Sequence, residues 1–96
     1  MYLQNKYTVW YYNIINHAKS RILSPDVYTE KHHIIPRSMG GDNSADNLVK
    51  LTAREHFVCH LLLTKMTDGI YKRKMFFALQ MMIYPNKRKP IHKTIN

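Results

Sequence analysis

The sequence predicts an α+β fold: a two-stranded antiparallel hairpin packed on a helix and flanked by an N-terminal and a C-terminal helix. Three observations carry this. Apolar residues recur at helical spacing over residues 7–22, 52–66 and 70–83, with polar residues filling the other faces. Two stretches between the first and second of these, Val27 to Ile35 and Asn47 to Leu51, are rich in β-branched and apolar residues and read as strands. They are joined by Arg37-Ser38-Met39-Gly40-Gly41-Asp42-Asn43, a loop that continues to Asp46 and whose glycines and Asp/Asn suit tight turns.

In the first helix, Trp10, Ile14 and Ala18 form one row and Tyr11, Ile15 and Ile22 its neighbour, a stripe expected to face the core. The aromatic group Tyr7, Trp10, Tyr11 and Tyr12 has the chemistry of a base-stacking platform, but its helical spacing favours core packing. His17 falls at the stripe's edge. Ser24-Pro25-Asp26 ends this helix, and Pro36 closes the first strand. The middle helix opens on Thr52-Ala53-Arg54-Glu55, a capping-box pattern, and should bury Phe57, Val58, Leu61, Leu62 and Met66 before Thr67-Asp68-Gly69 stops it. The last helix should bury Met75, Phe76, Leu79, Met82 and Ile83 and end at Pro85. Residues 85–96 form a basic polar tail that holds His92. The expected organisation is one domain over residues 1–96, its ββα part at about 28–66.

Charge narrows the partner. Fifteen Lys and Arg against six Asp and Glu give a net +9, a large excess for 96 residues. Such a surface favours a polyanion, nucleic acid first and an anionic membrane surface second. Charge does not separate DNA from RNA. Cys59 is the single cysteine, so an intramolecular disulfide scaffold and a Cys-x-x-Cys zinc site are both excluded. The apolar runs are far shorter than a bilayer span and the N-terminus lacks a secretion signal, which makes a cytoplasmic location the expectation.

The chemistry concentrates in four histidines. His56 and His60 are four residues apart on a helix, so both imidazoles project from one face and suit a shared metal ion. The pair His32-His33 lies on the preceding strand, where a folded hairpin brings a third nitrogen to them. Two helix ligands and one strand ligand leave coordination positions open, as in a catalytic rather than a closed structural site. Alternation along a strand sends His32 and His33 to opposite faces. Both serve one site only if the strand twists or bulges there, or if a phosphate sits over the strand's end.

The segments HHIIPRSMGG, Asn47-Leu48 and EHFVCH resemble the HNH nucleases of the ββα-metal (His-Me finger) fold, closest to phage-encoded homing or packaging-associated members. The match covers about a third of the chain. The resemblance implies that one divalent ion is held by His32, His56 and His60, that His33 is the general base, and that Asn47 ties the loop down and so holds His33 in place. It implies hydrolysis of DNA, double-stranded, to 5′-phosphate and 3′-hydroxyl ends, in a phage or its bacterial host cell. Three imidazoles suit Zn, Ni, Co and Mn, and Mg less well, since it prefers oxygen ligands. The paired Cys-x-x-Cys motifs of one branch of the family are absent. No helix-turn-helix or repeat module for sequence recognition is visible, which leaves weak recognition, a partner that supplies it, or a sequence that holds only the nuclease domain; a homodimer is a further candidate partner.

Arg37, just past the first strand, is placed to grip a phosphate or to face solvent. Arg54 near the start of the middle helix, and Lys72, Arg73 and Lys74 near the start of the last, oppose their helix dipoles. Contact with nucleic-acid phosphate explains that cost, as does a solvated cluster. Glu30 is a candidate to orient His32 or to pair with a lysine. Asp42 and Asp46 belong to the turn, and Cys59, about 100° round the helix from His60, belongs to the core. The competing readings are a non-catalytic, metal-stabilised DNA-binding module, a nuclease acting on RNA, and a basic helical peptide binder.

Overall fold

The structure is a computed structural model that describes residues 1–85. The tail beyond Pro85, with His92, lies outside the described residues. Its elements follow in the order α1 (Lys6–Ser20), β1 (Glu30–His33), β2 (Leu48–Leu51), α2 (Ala53–Lys65) and α3 (Gly69–Ile83), with 3-10 turns at Arg37–Met39 and Ala45–Asn47. This is the expected α+β arrangement of hairpin, helix and two flanking helices. α2 is the hub, packing against α1, α3 and both strands.

Helix α1 starts where Asn5 accepts hydrogen bonds from the Tyr7 and Thr8 amides, satisfying two otherwise orphaned donors. Its buried face is Thr8, Tyr11, Ile15 and Ala18, spaced three and four apart. The stripe expected from sequence is therefore displaced. Trp10 is 49% exposed and leans edge-on against Tyr7, while Ile22 is 99% exposed. The helix stops at Ser20 because Arg21 turns to extended backbone, from which its guanidinium reaches Glu55, so Ile22 never joins the helical face.

Both strands are shorter than expected. β1 and β2 pair antiparallel in a regular register, Glu30 opposite Leu51, Lys31 opposite Lys50, His32 opposite Val49 and His33 opposite Leu48. Before β1, Val27 donates to Ser24 O in a turn. After it, the Ile34 amide bonds to Asn47 O and the Ile35 amide to the Asn47 side chain, so Asn47 sits in a 3-10 turn instead of in β2. Gly40 has φ +95°, a left-handed conformation that suits glycine. At Gly41 the reason is proximity: a Cβ would lie 1.7 Å from Ile35 O. The loop is thus pressed against the end of β1, with Met39 buried beneath it.

The α2 capping box forms as expected: Thr52 Oγ1 accepts from the Glu55 amide, and Glu55 Oε1 accepts from the Thr52 amide. The buried row is Cys59, Leu62, Leu63 and Met66, and burial pushes the Cys59 thiol up to about 12. Phe57 and Leu61 lie a quarter-turn or more from that row and are exposed, contrary to expectation. In α3 only Met75 and Leu79 are buried. Phe76 and Ile83 are exposed because the helix packs through one narrow face.

Arg21 grips Glu55 through Nη1 and Nη2, at 2.6 and 2.5 Å, and fastens the end of α1 to the start of α2. This hydrogen-bonded cation holds the Glu55 carboxyl down to about 2, from an ordinary 4.5. A depressed acid favours the folded state while ionised, so the contribution is complete above about pH 4.5 and is lost as pH falls through about 2. Glu55→Gln keeps the capping box and loses the ion pair. We expect a cost of at most about 1 kcal/mol at neutral pH, since both partners still meet solvent. Thermal unfolding between pH 5 and pH 2 should show a weaker acid dependence in Glu55→Gln than in the wild type.

Candidate metal centre and catalytic site

His56 and His60, one turn apart on α2, meet His32 from β1. The ligand-capable nitrogens of the three lie within 4.8 Å of one another, and the ring centroids are 4.8–5.3 Å apart. His32 is 2% exposed. Burial, reinforced by the neighbouring histidines, holds His32 down to about 3, and burial followed by His56 holds His60 down to about 4. Both are therefore neutral at physiological pH and present lone pairs, the state a metal requires.

Hydrogen bonds decide which nitrogen is bare. His56 Nδ1 lies 2.7 Å from Glu30 Oε1. An ionised carboxylate only accepts, so Nδ1 carries the hydrogen and Nε2 is free. Glu30 therefore orients His56, not His32 as one sequence reading had it, because residues 30 and 32 share a strand face and the carboxylate reaches across to α2. The same contact lowers the Glu30 pKa. His60 Nδ1 is buried with no hydrogen-bond partner among the described residues. A bond to an ion would offset that desolvation, so the donor set fits a divalent metal.

His33 is not part of this cluster. β1 has no bulge, so its side chains alternate: Glu30 and His32 face the helices, while Lys31 and His33 face away. His33 is the last residue of β1, and its Nε2 lies 2.7 Å from Asn43 Oδ1. With the amide oxygen as acceptor, Nε2 carries the hydrogen and Nδ1 is bare. Asn47 does not touch His33. Its side chain holds both Ile35 N–H (2.8 Å) and Ile35 O (3.0 Å) and reaches Asp42 O (2.8 Å), clamping the loop to the backbone just past the histidine.

The chain is 42% identical over 87 residues to the "Probable mobile endonuclease E" of Enterobacteria phage T4, across 90% of this chain and 58% of that protein. It is 55% identical over 62 residues to "Probable mobile endonuclease D" of the same phage, across 62% of this chain and 24% of that protein. A third relative, "Probable mobile endonuclease C", is 43% identical over 81 residues, 82% of this chain and 37% of its own length. The homologues of this chain are probable mobile endonucleases of a phage. The chain spans between 20% and 58% of the length of the curated relatives it matches. No protein-family model and no solved structure matches it.

Beside these endonuclease relatives, the placement of the cations matters. Arg37, Arg54 and Arg73 are exposed, and their side chains have no hydrogen-bond partner among the described residues. Lys72 Nζ instead bonds to Thr64 O at 2.5 Å, near the end of α2, and Lys74 Nζ to Ser38 O at 3.2 Å. Sequence reasoning passed over Lys31 and Lys50. They are exposed, directly opposite one another across the hairpin, on the face that carries His33. Like charges so placed repel. Asn43 and Tyr11 were also missed as site residues. Their contacts to histidines span 10 and 21 residues, and no local pattern encodes them.

No helix among the described residues is long and apolar enough to cross a membrane.

Proposed function

We propose that this chain is an HNH-type, metal-dependent DNA endonuclease domain, with His32, His56 and His60 as the ligands of one divalent ion and His33 as the general base. The observation that carries the reading is the division of labour among the four histidines. Three imidazoles converge in a half-buried cluster, and the fourth stands outside it at the strand's end with one ring nitrogen bare. The endonuclease names of the relatives support the same chemistry.

The residues act as follows. A phosphodiester lying over the end of β1 meets His33 on one side and the three-histidine cluster on the other. His33 Nδ1 takes a proton from water, and the resulting hydroxide attacks phosphorus as the P–O3′ bond breaks. The departing oxygen leaves as a 3′-hydroxyl once protonated by solvent, and the phosphate stays on the 5′ end. Asn43 keeps the imidazole hydrogen on Nε2, and Asn47 fixes the backbone that follows. When bound, a divalent ion supplies Lewis-acid stabilisation of charge on the phosphate and the leaving oxygen. Lys31 and Lys50, and among the other cations Arg37, Arg54 and Arg73, supply phosphate contacts, with backbone anions relieving the repulsion across the hairpin.

The test is supercoiled plasmid offered to chelated protein with Zn²⁺, Mn²⁺, Ni²⁺, Co²⁺ or Mg²⁺ restored singly, alongside a folded RNA. Metal-dependent nicking or linearisation of plasmid is expected. Binding of plasmid without cutting under every metal would leave a DNA-binding module in its place, and cutting of RNA alone would overturn the choice of substrate.

A further inference from the structure

Tyr11 is fully buried in α1, outside the hairpin and helix that hold the histidines. Phenylalanine would fill that volume without a hydroxyl to desolvate, so the polar atom calls for a reason. The Tyr11 oxygen lies 2.8 Å from Ile34 O and 2.7 Å from His32 Nε2. A carbonyl has no hydrogen to give, so the phenol's one proton goes to Ile34 O. The phenol oxygen is then left to accept, and the donor is His32 Nε2–H. Nor does Ile34 O depend on Tyr11, because Tyr2 donates to the same carbonyl at 2.8 Å. The contact peculiar to Tyr11 is the one to His32.

We propose that Tyr11 is a positioning residue for His32: its hydroxyl locks the imidazole as the Nε2–H tautomer and leaves Nδ1 as the ligating nitrogen. The inference rests on the metal reading above. It makes the site's ligands individually tuned, with Glu30 fixing His56 through Nδ1, Tyr11 fixing His32 through Nε2, and His60 Nδ1 left without a hydrogen-bond partner among the described residues. It also makes α1 part of the site, since the edge-on Tyr11 and His32 rings (5.9 Å, 69°) set the imidazole plane.

The test compares wild type, Tyr11→Phe and the control Tyr2→Phe, each as the full chain. Nitrogen-detected imidazole spectra of the metal-free wild type should show His32 protonated at Nε2, and Tyr11→Phe should show exchange between tautomers. Calorimetric titration with Zn²⁺ should give an affinity roughly 10–100-fold weaker in Tyr11→Phe, the range for losing a ligand's supporting hydrogen bond, and unchanged in Tyr2→Phe. A wild-type His32 protonated at Nδ1, which needs no variant to detect, would overturn the proposal. So would a folded Tyr11→Phe that kept both the wild-type tautomer and the wild-type affinity. An equal loss in Tyr2→Phe would reduce Tyr11 to a packing role and would also overturn it. If the wild type took up no Zn²⁺, the metal reading would fall, and the claim that Tyr11 fixes the ligating nitrogen would fall with it.

Discussion

Replacing His33 with alanine is expected to lower plasmid cleavage by roughly 10²–10⁴-fold, the usual contribution of a positioned general base, while metal uptake stays close to wild type. The separation follows from the strand. His33 points away from the face that carries His32, and among the described residues its side chain bonds to Asn43 in the loop, not to any member of the cluster. The substitution should also leave the fold intact, because His33 is only partly buried and the backbone after it is held independently by Asn47. Cleavage is read on supercoiled plasmid and metal by calorimetry on the same preparations. A His33→Ala protein that bound metal poorly yet still cut DNA would show that the roles of His32 and His33 are wrongly divided.

His56→Ala should lose both properties. His56 stands at the junction of the cluster, with Nδ1 tied to Glu30, so on the proposed reading its removal deletes the Nε2 ligand and frees the carboxylate that oriented it. Two imidazoles remain. The fall in metal affinity should exceed the roughly 10–100-fold typical of losing only a supporting partner, and cleavage should fall with it. Glu30 keeps its contact to the Tyr28 hydroxyl and some exposure to water, so the protein should remain folded, which thermal unfolding checks. His17→Ala, on the exposed side of α1, is the matched control and should change neither quantity.

The parts of this account that sequence made legible are those governed by local periodicity. A four-residue spacing on a helix puts His56 and His60 on one face whatever surrounds them, and Thr52 and Glu55 mark where that helix begins. Strand alternation separates His32 from His33, and the regular β1–β2 register leaves that separation in place. What escaped is tertiary. Trp10 and Tyr11 are adjacent and both aromatic, yet one is half exposed and the other is fully buried against His32, a choice made by how α1 rolls against α2 and β2. Glu30 has His32 two residues away in sequence, but its carboxylate bonds to His56, twenty-six residues on, across the interface with α2. Asn43 reads as a turn residue until the loop, pressed down at Gly41, lays its amide against His33. Lys72 reads as a free cation until α3 docks beside the end of α2, where its ammonium meets an unpaired carbonyl.

On the proposed reading, three histidines hold one ion on which the cutting of DNA depends. The most direct measurement titrates Co²⁺ into chelated protein, following the cobalt absorption spectrum and plasmid cleavage in the same samples. The expected result is one equivalent bound through nitrogen ligands, with cleavage rising in step with occupancy. Cleavage by the metal-free protein, or binding of cobalt that His56→Ala leaves unchanged, would contradict it.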